Sequence, residues 1–287
     1  MAVALAGAGW ELELLPALGG AIGALRHRGA DILRPTPDGA TDPLQSACFP
    51  LVPYANRIAG GGFTFAGREV QLPLNFGDHP NTLHGTAWQR AWEIVEQGPD
   101  RAVLTQSHDG TGGWPWAWRA EQLFELDEQG LSVALTLTNQ SVEPMPAGIG
   151  LHPYFAISPG TRLRLNAERV WLTDAVQIPS GPVPADHFGD WATGASIAQA
   201  GFIDNSYEGW DGLATLATAL DGGDHIVRVS AEGARDLHLY HPEGESFCCL
   251  EPVSHLPDAF NRAGAAFDIL APGATITLMM RIAVEQS

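Results

Sequence analysis

The segment Leu131-Ser132-Val133-Ala134-Leu135-Thr136-Leu137-Thr138 sets branched apolar side chains two residues apart, with small or hydroxyl side chains between them. Successive side chains of a strand point to opposite faces, so this spacing gives one apolar face and one wet face. On a helix the same residues would scatter around the axis. The pattern recurs on both sides of this segment. Trp10, Leu12 and Leu14 alternate with Glu11 and Glu13, and Leu163 and Leu165 alternate with Arg162 and Arg164. Ile226-Val227-Arg228-Val229, Leu237-His238-Leu239-Tyr240 and Ile276-Thr277-Leu278-Met279 are further short strand candidates. Asp38-Gly39, Asp109-Gly110, Gly112-Gly113, Asp221-Gly222-Gly223 and Pro272-Gly273 punctuate them as turns. Helical periodicity is scarce, the best stretch being Thr193 to Ala200. Many strands and few helices predict an all-β chain folded as a large antiparallel β-sandwich. No repeat, low-complexity tract or linker interrupts it, so residues 1–287 read as one domain.

The composition agrees and excludes several functions. The chain has 287 residues, 45% of them hydrophobic, with 33 Gly and 21 Pro, the punctuation of a chain of short strands. The net charge of −18 repels phosphate backbones and argues against nucleic acid as a partner. All 15 basic residues are Arg, which excludes Schiff-base and pyridoxal chemistry and the phosphate-binding loop that needs a Lys. The three cysteines, Cys48, Cys248 and Cys249, are odd in number and lack a C-x-x-C spacing. They read as buried thiols in a reducing compartment. Met1 to Trp10 is apolar but short and has no basic flank, so it is not read as a leader. No run of about 18 apolar residues predicts a membrane span, and the expected location is the cytoplasm.

Five motifs could carry chemistry. Asn56-Arg57-Ile58 precedes Gly60-Gly61-Gly62-Phe63 and Phe65; the Arg57 fork suits sugar hydroxyls, or forms a surface ion pair beside a hairpin. Asn81-Thr82-Leu83-His84-Gly85 is followed by Trp88 and Trp92. An indole beside polar donors suits a sugar face, and equally suits a core. In Gly150-Leu151-His152-Pro153-Tyr154-Phe155 Pro153 biases His152 toward extended backbone, where an imidazole can give and take a proton or simply fill a structural place. Phe202-Ile203-Asp204-Asn205 offers a carboxylate for hydroxyls or for a turn cap. Phe247-Cys248-Cys249-Leu250-Glu251-Pro252 ends an apolar strand on Glu251. Such surroundings raise a carboxyl's proton affinity, as a general base requires.

In their order and spacing the five motifs together resemble the aldose 1-epimerase (galactose mutarotase) family, over most of the chain. The resemblance implies a galactose mutarotase-like supersandwich and a mutarotase that interconverts the α and β anomers of a free aldose. It implies His152 as general acid and Glu251 as general base, with Arg57, His84 and Asp204 holding the sugar, the Asp204 segment being the loosest match. Many members continue His-Gly-Gly and then Gly-Phe, where this chain reads His84-Gly85-Thr86-Ala87-Trp88. Trp88 is therefore expected to cover the sugar in a different way. The chemistry implied needs no cofactor and no metal, and the partner expected is a monosaccharide. Two alternatives stay open: a hexose-6-phosphate 1-epimerase, which needs a phosphate anchor such as Arg90, Arg57 or Arg26, and a non-catalytic sugar-binding sandwich. The ten scattered histidines give no strong metal spacing.

Overall fold

The computed structural model describes residues 2–221 and 223–286; Met1, Gly222 of the expected Asp221-Gly222-Gly223 turn, and Ser287 lie outside them. The chain is an antiparallel β-sandwich of two large sheets, with no α-helix among the described residues. The segment Leu131–Thr138 lies in the strand Gly130–Asn139, at the centre of the nine-stranded sheet, between Ala117–Asp127 and Thr275–Gln286. Leu131, Val133, Leu135 and Leu137 are fully buried, and the residues between them are half-buried on the other face, apart from buried residues at the strand's ends. The stretch 193–200, expected as the best helix, is instead a two-residue strand, Ala195–Ser196, followed by a single 3-10 turn, Ile197–Gln199. Ala195 pairs with Leu163 at the sheet edge, and edge pairing overrides the weak helical propensity of so short a run.

The eleven-stranded sheet positions the candidate site. Its middle runs Cys48–Leu51, Gly150–Ala156, Phe247–Val253, Asp236–His241, Ile203–Glu208 in space. Registers pair Phe49 with His152, Glu251 with His238, and His238 with Ser206. The pairs Gly150–Val253 and Tyr154–Cys249 set His152 opposite Glu251. Five adjacent strands thus contribute one transverse row, Phe49, His152, Glu251, His238 and Ser206, on a single face. Two residues further along each strand, Tyr154, Cys249, Tyr240 and Asp204 form a parallel row.

The opposite face sends Cys48, Leu151, Phe155, Leu250, Leu237, Leu239 and Tyr207 into the core shared with the second sheet. Phe49, Tyr154, Cys249 and Val253 gather in a smaller cluster on the site face. Both faces of these strands are therefore covered. That is why Phe247–Val253 is buried at every position rather than alternating. Glu251 sits inside this strand rather than at its end. All three cysteines are buried and unbridged.

Candidate active site

The row opens into a cleft of about 380 Å³, within the range of small-molecule sites. At its floor His152 Nε2 lies 3.2 Å from Glu251 Oε1. Both side chains are buried, Glu251 to 1% exposure. The His152 ring packs against Phe49 (centroids 4.6 Å apart) and Tyr154 (4.7 Å), with His84 edge-on at 5.3 Å. Burial pushes the Glu251 carboxyl well up, aided by the Asp204 charge and only partly opposed by Arg57. Burial and the His238 charge bring His152 down to about 3. Both groups favour their neutral forms, so the resting pair holds one proton, on Glu251.

His84 reaches the cleft through strained backbone. The short strands Arg57–Ile58 and Thr82–Leu83 pair Arg57 with Leu83, which sets the Asn56-Arg57 and His84-Gly85 corners side by side. Asn56 and His84 both adopt left-handed backbone, φ 56° and 59°, a cost that proteins concentrate at functional sites. Asn56 donates its backbone N–H to His84 Nδ1 at 3.0 Å. Burial, then the charges of His152, Arg57 and His238, hold the His84 pKa well below its usual value. The neutral ring must therefore carry its proton on Nε2, leaving that nitrogen a donor. Gly85 has φ 70°, and a Cβ there would collide with the Val52 carbonyl oxygen. Gly85→Ala is expected to lose about 1–3 kcal/mol from backbone strain alone, with further loss from the collision, read as a lowered urea midpoint at unchanged slope.

Asp204 is the anchor of the opposite side. Arg57 donates from Nη2 to Oδ2 at 3.0 Å and from Nη1 to Oδ1 at 3.4 Å, and also from Nη1 to Asn56 Oδ1 at 3.2 Å. His238 donates from Nε2 to Oδ1 at 2.7 Å, and its Nδ1 lies 2.8 Å from Ser206 Oγ. Burial alone would raise the Asp204 carboxyl, but the His238 hydrogen bond and charge and the Arg57 pair outweigh it and hold it far below the carboxylate range.

The structure thus gathers His152, Glu251, His84, Arg57 and Asp204 at one cleft. Trp88 does not line it. Its indole N–H is taken by the Leu83 and Gly85 carbonyls, and its ring stacks under Phe49, centroids 5.4 Å apart. It therefore cannot cover a sugar as expected; it supports the ring that supports His152. His238, Tyr240 and Arg34, which lie in none of the five motifs, also line the cleft, as does Tyr154 of the His152 motif. The buried atoms His152 Nδ1, Glu251 Oε2 and Arg57 Nε have no hydrogen-bond partner among the described residues. Unfilled polar atoms at a site ask for a ligand.

The ligand atoms of His84, His152 and Glu251 lie within 4.8 Å of one another and could in principle meet a metal ion. Metal-bound imidazoles donate their second nitrogen to an acceptor. The second nitrogen of His84 instead receives an N–H, and that of His152 has no partner among the described residues. This arrangement suits hydrogen-bond donation from His84 Nε2 better than ligation.

The chain is an all-β protein whose cleft holds a buried histidine–glutamate pair, and it belongs to the aldose 1-epimerase family, whose model matches residues 14–283. The uncharacterised protein YphB of Escherichia coli K12 is 33% identical over 280 residues, covering 93% of each chain. The aldose 1-epimerase of the same organism is 31% identical over 140 residues, 46% of this chain and 39% of its own. A solved structure from E. coli K12, provisionally described as an aldose 1-epimerase, is 30% identical and superimposes with a TM-score of 0.92, covering 100% of this chain and 99% of its own. The aldose epimerase homologue of C. elegans shares the fold at 17% identity with a TM-score of 0.86, covering 100% of this chain and 99% of its own. No helix among the described residues is long and apolar enough to cross a membrane.

Proposed function

We propose that this protein, acting as one domain, is a mutarotase that opens and recloses the ring of a free aldose and so interconverts its α and β anomers. The observation that carries the reading is the imidazole–carboxyl pair of His152 and Glu251, 3.2 Å apart at the floor of a sugar-sized cleft. Ring opening of a hemiacetal needs one proton removed from the anomeric hydroxyl and one delivered to the ring oxygen. Glu251 as carboxylate takes the first and His152 as imidazolium gives the second. Rotation about C1–C2 presents the other carbonyl face, and the reverse transfers close the other anomer.

The resting pair holds its proton on Glu251, so these roles require it to pass to His152 as the sugar's hydroxyls donate to the carboxylate. One proton is conserved throughout, and microscopic reversibility needs no other. Arg57 and the Nε2–H of His84 stabilise charge on the oxygens as the bond breaks. Asp204 retains lone pairs for ring hydroxyls beyond those its partners use. A non-catalytic sugar-binding sandwich would gain nothing from burying two titratable groups side by side. Polarimetry tests the reading: freshly dissolved α-glucose or α-galactose should relax faster with the protein than without it. Uncatalysed rates across a panel of free and phosphorylated aldoses would reject it.

A further inference from the structure

We propose that the cleft has a second subsite, at Arg34, for an anionic group carried by the sugar away from its anomeric carbon, so that an aldose bearing a carboxylate or a phosphate is bound more tightly than the neutral aldose of the same configuration. This deepens the mutarotase reading and rests on it for the placement of the anomeric end.

Leu33 bridges to Phe155 and the Arg34 backbone N–H donates to the Tyr154 carbonyl at 2.8 Å, which fixes the residue beside the catalytic strand. Its guanidinium lies over the Tyr154 ring at 3.8 Å and the Phe247 ring at 4.5 Å. Nη2 donates to the carbonyls of Leu44 and Ser46 at 2.8 and 2.9 Å. The side chain is therefore held in one pose along the cleft wall rather than waving in solvent.

What it lacks is a counter-ion. No carboxylate approaches Arg34 within ion-pair distance among the described residues, whereas Arg57 in the same cleft is neutralised by Asp204. Nη1 makes no hydrogen bond among the described residues. In a chain of net charge −18, an immobilised and uncompensated cation in a cleft is the feature an anion would recognise. The planar fork suits a carboxylate or a phosphate.

The subsite also neighbours the candidate pair: the Arg34 guanidinium lies 3.8 Å from the centroid of the Tyr154 ring, whose centroid lies 4.7 Å from that of His152. Around Arg34 the cleft is walled by Tyr154, Phe247 and Leu44, so the charge-bearing substituent meets one cation in an aromatic setting.

Titration calorimetry with the full-length protein at low salt would compare glucuronate, galacturonate and hexose 6-phosphates with the neutral hexoses of the same configuration. Tighter binding of the anionic sugars by at least about 10-fold is expected. In Arg34→Gln that ratio should fall toward one, and Arg34→Lys should keep part of it. Equal affinities in the unaltered protein overturn the subsite, independently of any variant. Preference for hexuronates or for phosphates distinguishes the two sources of the anion, and either supports it. Mutarotation of the same panel is a separate readout. Anionic preference in binding with no acceleration for any sugar leaves the subsite standing and rejects the mutarotase reading; acceleration without that preference does the reverse.

Discussion

Glu251→Gln should lose roughly 10²–10⁴-fold in kcat for mutarotation while leaving the fold as stable as before, or more so. Gln matches the carboxyl in size and hydrogen-bonding reach but cannot exchange a proton. His152→Asn should lose a comparable factor, and the double variant little more than either single one, because the pair acts as a unit on one proton. The stability half of the prediction follows from the raised carboxyl. In the unfolded chain Glu ionises near about 4.3. Folding at neutral pH therefore takes up a proton at Glu251. The cost grows as pH rises from the unfolded value toward the folded one. Gln carries no such cost. Activity falling together with the urea midpoint would point to a structural carboxyl and end the assignment. The same pair predicts the pH profile. Acceleration should fade on the acid side as His152 takes a second proton toward pH of about 3, and on the alkaline side as the last proton leaves Glu251.

The parts of this site that the sequence made legible are those whose chemistry coincides with a local pattern. Period-two alternation sufficed for the sandwich because each strand must hide one face. His152 and Glu251 stood out as titratable groups on apolar strands, and Arg57 and His84 stood beside glycines whose backbone freedom marks a tight corner. His238 did not stand out. In Leu237-His238-Leu239-Tyr240 it looks like any polar residue on the wet face of a strand. Its meaning comes from the strand order, which sets it between Glu251 and Ser206 and within 2.7 Å of Asp204. Alternation gives the face of a residue but not the neighbour of its strand. Arg34 was missed for the same reason, since its partners Leu44, Tyr154 and Phe247 are distant in the chain. Trp88 was misread because nothing local shows that the Leu83 and Gly85 carbonyls already occupy its N–H.

Asp204→Asn should unfold more easily by about 3–5 kcal/mol at neutral pH, the usual cost of removing one partner from a buried pair. Arg57 is 11% exposed and Asp204 9%, so the guanidinium would be left with little water and a neutral amide. His238 would lose its charged acceptor at the same time. The dependence on pH separates this from ordinary packing loss. The folded-state pKa of Asp204 lies below the unfolded value of about 3.9. Its contribution is therefore fully present above that unfolded value, and it is lost as pH falls through the folded one. The gap between the original protein and Asp204→Asn, read from urea unfolding, should be constant from neutral pH down to about 4 and narrow only in stronger acid. A gap that stayed the same at every pH would mean that the carboxylate's charge is not what the Arg57–His238 cradle recognises. The Asp204 corner would then be held by shape alone, and its place as the anchor for sugar hydroxyls would lose its electrostatic basis.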